Sequence, residues 1–158
     1  MFITKLCQTL SDNNIPYAIV GGYAVALHGA VRGTIDIDFV IEWQLDTLKR
    51  AESALNSLGL KSIIPVNAEN MFNNRQDYID NRNLIAWNFT NPDDPSQTVD
   101  IIITFDLAGL DSLTKRINNT DINILNIDSL IEMKQLAGRP QDLFDVAALT
   151  SIKEQTNQ

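Results

Sequence analysis

The sequence predicts an α+β fold: a small mixed or mostly antiparallel sheet covered by helices on one face, with short helices at the C-terminus. Three observations carry this. Apolar residues recur at three-to-four spacing in residues 2–13 and 45–58, the mark of amphipathic helices. Residues 35–41 alternate strictly between Ile or Phe and other residues, the mark of a strand. The order runs helix, strand, helix, strand, helix, then a hairpin, then helices, which suits an α+β layer arrangement. The 158 residues fit one domain over 1–158, with a core at about 15–125 and a helical segment at about 127–155.

Each element has its own signal. Phe2, Ile3, Leu6, Cys7 and Leu10 form the stripe of the first helix. IPYAIV after it is a short strand, and GGYAVALHGA a short helix opened by glycines. In TIDIDFVIE, Ile35, Ile37, Phe39 and Ile41 face one way and Asp36, Asp38 and Val40 the other. Leu45, Leu48, Ala51, Leu55 and Leu58 line a helix that stops at Gly59. Between Ile63 and Asn83 the pattern is poor. Met71, Phe72, Arg75, Tyr78 and Ile79 suggest a helix that the asparagines weaken. LIAWNFT and TVDIIITF flank NPDDPSQ as a hairpin with a long tip. DSLTKRIN reads as a short helix and INILN as a short strand. SLIEMKQLAG has Ser129 and Glu132 at capping-box spacing and ends at Gly138, and a last helix starts with Pro140 in its first turn.

Composition narrows the class of function. Apolar residues make up 44% and charged residues 20%, an ordinary globular balance. The formal net charge of −8 argues against a module that grips nucleic acid through its phosphates. One cysteine, Cys7, excludes an internal disulfide and fits a reducing compartment. No apolar run approaches ~18 residues, and the N-terminus lacks a basic segment followed by an apolar core. A cytoplasmic protein that does not engage a membrane is expected.

Asp36 and Asp38 sit one residue apart in an otherwise apolar strand, where they repel each other. On one strand face their side chains start roughly 7 Å apart and can converge on one or two cations. Asp100 interrupts Val99, Ile101, Ile102 and Ile103 in the same way, so neighbouring strands would bring three carboxylates to one patch. Mg²⁺ takes oxygen ligands and keeps substrate phosphates in its shell, and two such ions can activate a hydroxyl and stabilise a leaving pyrophosphate. Gly21 and Gly22, between a strand and a helix, let a backbone approach a phosphate closely. Either signal alone is weak, since a glycine pair is often only a tight turn and Asp-x-Asp often a solvated pair. Thirteen residues separate Gly22 from Asp36, and the ordered combination is more specific.

The block VGGYAVALHGAVRGTIDIDFVI resembles the signature of the nucleotidyltransferase superfamily with the DNA polymerase β-type fold: a glycine-glycine or glycine-serine turn, Asp-x-Asp, then a third strand acid. The closer resemblance is to bacterial stand-alone nucleotidyltransferases related to abortive-infection, AbiEii-type toxins, which carry a later block that here reads SLIEMKQLAGRPQDLFDVAAL. It covers roughly residues 17 to 149 and is strong in those two blocks and near Asp100. The resemblance implies a polymerase β-like fold and transfer of an NMP from an NTP to an acceptor hydroxyl. It makes Gly21 and Gly22 the triphosphate-side turn, Asp36 and Asp38 metal ligands, and Asp100 the third acid, which also helps activate the attacking hydroxyl. Two Mg²⁺ ions are the implied cofactors. Lys134 becomes a phosphate or nucleotide contact, and Arg139, Asp142 and Asp145 match the later block. The acceptor, whether small molecule, tRNA or protein, is not visible. A homodimer or partner protein that completes the site, and a toxin–antitoxin pairing, both fit. The alternative is a nucleotide-binding or regulatory module of the same fold without catalysis, and a plain carboxylate-lined cation site is a third reading.

Several residues have a bland reading beside the chemical one. Lys134 lies among Leu130, Ile131, Met133, Leu136 and Ala137, so the residues alone suggest a snorkelling lysine. Asp142 and Asp145 share a helix face, Asp142 suits a first turn, and either can pair with Arg139 or Lys134. Arg32 and Thr34 precede the Asp-x-Asp strand, where Arg32 faces phosphate or a carboxylate. His28, Trp43, Trp87 and Cys7 read as packing residues.

Overall fold

The computed structural model describes residues 1–156; Asn157 and Gln158, the end of the expected single domain, lie outside the described residues. Helix α1 (Phe2–Asp12) buries Ile3, Leu6, Cys7 and Leu10 of its predicted stripe, and Phe2 is half-buried. Strand β1 (Tyr17–Val20) runs into α2 (Gly21–Leu27), and β2 (Ile37–Ile41) leads to α3 (Leu45–Ser57). Gly59, at φ +85°, turns the chain after α3, a backbone state that costs a side-chain-bearing residue more than glycine. A two-residue strand β3 (Lys61–Ser62) is followed by α4 (Ala68–Asn73) and α5 (Arg75–Arg82). Strands β4 (Ala86–Asn91), β5 (Asp94–Ile102), β6 (Ser112–Ile117) and β7 (Thr120–Leu125) precede α6 (Ile127–Ala137) and α7 (Pro140–Thr156).

The strands form one seven-stranded mixed sheet in the order β3-β4-β5-β2-β1-β7-β6. The β2–β5 and β1–β7 pairs are parallel and the others antiparallel. All four residues of β1 are buried, and so are Val40 and Phe39 on opposite faces of β2. The centre of the sheet is therefore covered on both faces, where the sequence suggested one.

Four further expectations are corrected. Residues 112–117 are a strand. Leu113 and Ile117 are four apart, a spacing that fits one helix face or alternate strand positions equally. Pairing decides: Asn118 and Asn119, at φ 49° and 64°, make the left-handed two-residue turn that joins β6 to β7. The β4–β5 tip is tight, because pairing continues to Asn91 and Asp94 through a register shift. Helix α6 begins earlier than expected: Asn126 is its N-cap, accepting from Ser129 N at 2.7 Å, which leaves Ser129 inside the first turn. Asp36 lies in a bend before β2, and Ile35 is 74% exposed. The ladders with β1 and β5 reach no further than Asp38 and Ile37, so nothing holds residues 35 and 36 extended.

The asparagines that blur residues 63–83 are punctuation. Asn67 and Asn70 form a reciprocal capping box at the start of α4, Asn74 separates the two helices, and left-handed Asn83 (φ 52°) ends α5.

Candidate active site

Gly21 stands where β1 turns into α2, at φ +67°. The antiparallel register sets Val20 opposite Asp38, so Gly21 packs directly against the Asp38 side chain. A Cβ on Gly21 would overlap the carboxylate and come within 2.9 Å of its Cγ. A Cβ on Gly22 would lie 2.8 Å from Thr34 Cβ and 3.3 Å from Arg32 Cζ. Each glycine thus admits a different wall of the site. Gly21→Ala is expected to cost roughly 1–3 kcal/mol, from the left-handed backbone plus displacement of Asp38. A denaturant melt checks it, and an unchanged midpoint would show that the turn relaxes freely.

The carboxylates meet through strand pairing. Parallel β2 and β5 put Asp38 beside Asp100, and β4 puts Asn88 on the other side of Asp100. Asn88 Nδ2 donates to Asp100 Oδ1 at 2.6 Å and orients that carboxylate. Nothing local in the sequence marks Asn88; only the hairpin register reveals it. Burial pushes the Asp38 carboxyl up to about 7, with Asp100 and then Asp36 adding to the rise and Lys134 opposing it. Burial, then the Asp100 charge, also raises Asp36, which is exposed at the rim. Asp38 and Asp100 are a close pair that needs a proton or a cation between them. Among the described residues no three Asp, Glu, His or Cys side chains already surround a metal position. The donor set is all carboxylate oxygen, the chemistry that suits Mg²⁺.

A second cluster stands beside the acids. Gly138, at φ +65°, ends α6 and lets α7 return across it. Asp142 and Asp145, one turn apart on α7, then close on Lys134 of α6 at 3.2 and 3.0 Å. All three are buried. Asp142 also accepts from Arg139 N at 3.1 Å and Nε at 2.7 Å. Asp145 accepts from Arg32 Nε at 3.1 Å and Gln141 Nε2 at 3.0 Å, tying the loop before β2 to α7. Its second oxygen meets Lys134 only as an ion pair, at an angle too poor for a hydrogen bond. Burial pushes Asp142 and Asp145 upward. Their partners outweigh it and hold both below the usual carboxylate range, Arg139 and Lys134 for Asp142, Lys134 and Gln141 first for Asp145. Asp142 in turn raises Arg139.

Lys134 also faces a cavity of about 420 Å³ that reaches Gly21 and Asp38. Thr34 is half-buried and donates to Asp36 O at 3.3 Å. The packing residues are accounted for. His28 Nε2 bonds Leu125 O at 2.8 Å, and burial lowers its pKa. Trp87 is fully buried against Phe89, and its Nε1 donates to Ser62 Oγ. Trp43 lies under the Arg75 guanidinium, 4.5 Å from the ring centroid. Cys7 is buried, which raises its thiol to about 11.

This mixed sheet, with its glycine turn beside paired strand acids, is the nucleotidyltransferase fold. The chain is similar to an antigenic nucleotidyltransferase-like protein from Paracoccidioides brasiliensis at 20% identity, over 94% of this chain and 73% of that one, with a TM-score of 0.61. It is similar to ANT(2″)-Ia, solved with adenylyl-2″-tobramycin, at 13% identity over 95% and 86% of the two chains, with a TM-score of 0.63. It is also similar to the lincosamide antibiotic adenylyltransferase LnuA, solved with lincomycin, at 14% identity over 94% of each chain, with a TM-score of 0.60. No protein-family model and no curated protein matches the chain. No helix among the described residues is long and apolar enough to cross a membrane.

Proposed function

We propose that the chain is a metal-dependent nucleotidyltransferase of the cytoplasm that moves an NMP from an NTP to an acceptor hydroxyl and releases pyrophosphate. The observation that carries this is the Asp38–Asp100 pair, with Asp38 pressed against Gly21, a half-buried negative site beside a glycine turn. Asp36, Asp38 and Asp100 would hold Mg²⁺. Bound there, the ions would offset the burial and the carboxylate repulsion that together raise Asp38, and would polarise the phosphates.

The chain's own groups divide the remaining work. Gly21 and Gly22 admit the triphosphate, and Arg32 and Thr34 border it. The acceptor oxygen attacks the α-phosphorus, the bond to the β-phosphate oxygen breaks, and the hydroxyl proton passes to Asp100, which Asn88 orients. Lys134 places positive charge beside Asp38, although Asp142 and Asp145 already hold it, so any phosphate contact is made from a fixed position. The finer kinship with AbiEii-type proteins, and a role in a toxin–antitoxin pair, rest on the two sequence blocks. The neighbours solved with tobramycin and lincomycin adducts or ligands make a small-molecule acceptor the first to test, ahead of tRNA or protein.

A non-catalytic nucleotide-binding module is favoured by one observation, that Asp36 stands at the exposed rim outside the strand. One assay separates the readings: incubation with each NTP and Mg²⁺, followed for pyrophosphate release and self-labelling. Mg²⁺ with NTP is expected to raise the melting temperature, by mass action on the folded state, and NTP with a chelator to do so much less. Equal shifts in both conditions would remove the metal bridge. A metal-dependent shift without pyrophosphate release, for every NTP and added alcohol, would favour the binding module.

A further inference from the structure

We infer that Arg32 is a positioning residue for the metal site: it ties the segment carrying Asp36 to helix α7 through Asp145, and so sets where Asp36 stands beside Asp38 and Asp100. This rests on the metal-dependent transfer proposed above and names what holds its outermost ligand. Asp36 needs such a hold. Residues 30–36 form neither helix nor strand, and the ladder with β5 begins at Ile37. Apolar burial does not anchor the segment, since Val31 is fully exposed and Ile35 largely so. Thr34 bonds Asp36 O, inside the segment. Among the described residues, the one side-chain hydrogen bond that leaves residues 30–36 runs from Arg32 Nε to Asp145 Oδ1, at 3.1 Å.

The anchor is a fixed one. Asp145 is buried on α7, where Gln141 Nε2 donates to one carboxylate oxygen at 3.0 Å and Lys134 pairs with the other. Arg32 Nη1 also donates to Gly33 O, so one guanidinium clamps the segment's backbone and α7 together. Gly22 forms its floor, with room for no Cβ nearer than 3.3 Å to Arg32 Cζ. The hold matters because the third carboxylate stands close without converging. The Asp100 charge reaches Asp36, yet no three acids among the described residues surround a metal position. Ligands work only when held within about 0.5 Å of their productive place, and groups that hold a metal ligand in place are commonly worth about tenfold or more in affinity. Charge alone gives the opposite sign: Arg32 is a cation near a cation site, and its removal would tighten metal binding.

The test compares Arg32→Met with the parent, using the whole chain without nucleotide and Mn²⁺ as the probe metal, a cation that shares the oxygen-ligand preference of Mg²⁺. Asp145 keeps Lys134 and Gln141 in this variant, so it should fold. Electron paramagnetic resonance of free Mn²⁺ reads the affinity, which should fall by about tenfold. In an Asp36→Asn background the same change should shift it by less than about twofold, since the ligand that Arg32 places is already gone. A nitroxide on Ile35→Cys reads the segment without metal; that position is exposed, and Cys7 is buried away from the label. Its line should sharpen in Arg32→Met. Unchanged or tighter Mn²⁺ binding would overturn the inference and leave Arg32 to phosphate or to charge alone. An equal fall in the Asp36→Asn background, or an unchanged nitroxide line, would overturn it too. Should Arg32→Met fail to fold, Arg32→Lys gives the same readouts, because it keeps the charge but cannot span Asp145 and Gly33 O together. If the parent binds no Mn²⁺, the metal-dependent reading fails by itself, and the nitroxide still decides whether Arg32 fixes the segment.

Discussion

Asp38→Asn is expected to lower transfer by on the order of 10³-fold or more while making the metal-free protein more stable above neutral pH. The carboxylate is the one held between Gly21 and Asp100, and its amide would keep the shape without the charge. The stability effect has a definite sign. The Asp38 carboxyl sits near 7 in the folded protein and at its ordinary value when unfolded, so the folded state holds an extra proton between those values. Stability is therefore fullest below the unfolded value and falls as pH rises through about 7, by up to about 4 kcal/mol. Asp38→Asn should flatten that fall, and so should Mg²⁺ added to the parent. Denaturant melts at pH 5 and pH 8, with and without Mg²⁺, read both. Transfer retained by Asp38→Asn would end the catalytic assignment. A strong loss of stability at pH 8 would mean that Asp38 answers a buried cation.

Lys134→Met is expected to destabilise the protein by roughly 3–5 kcal/mol at neutral pH, because it removes the one buried cation that Asp142 and Asp145 share and leaves them only partners nearer the surface, Arg139 for Asp142 and Arg32 with Gln141 for Asp145. Arg139 and Arg32 do not replace it, since each bonds one aspartate only and Arg139 is 72% exposed. The lowered pKa values of the two acids set the pH window. Their stabilising contribution is present above the ordinary carboxylate value and disappears as pH falls through the folded values. The gap between parent and variant should thus narrow below about pH 4. Adding Asp142→Asn and Asp145→Asn to Lys134→Met should recover much of the loss, because the buried charges go with it. A cost under about 1 kcal/mol for Lys134→Met would place the cluster among solvated surface pairs.

These two sites were unequally readable. The Gly21–Gly22 turn and the Asp36, Asp38 and Asp100 interruptions stand out because a glycine pair after a strand and acids inside apolar strands break local rules. Lys134 was ambiguous from its apolar neighbours. Its burial between two aspartates depends on α7 folding back across α6, and the turn at Gly138 permits that without specifying the angle. Arg32 reaches Asp145 across more than a hundred positions of sequence, and no spacing rule connects them.

The helical stripes of α1 and α3, the alternation of β2 and the ordered glycine and aspartate signals are properties of the sequence by itself. Each follows from the period of side chains along one element, which neighbours in sequence already define. The tertiary structure decided that residues 112–117 pair as a strand, that Asp36 leaves the ladder, that Asn88 holds Asp100, and that an apolar cavity opens beside Asp38. Those outcomes depend on which strand lies next to which and on where one helix crosses another. Contacts between distant segments set them, and the same local pattern is compatible with more than one such arrangement.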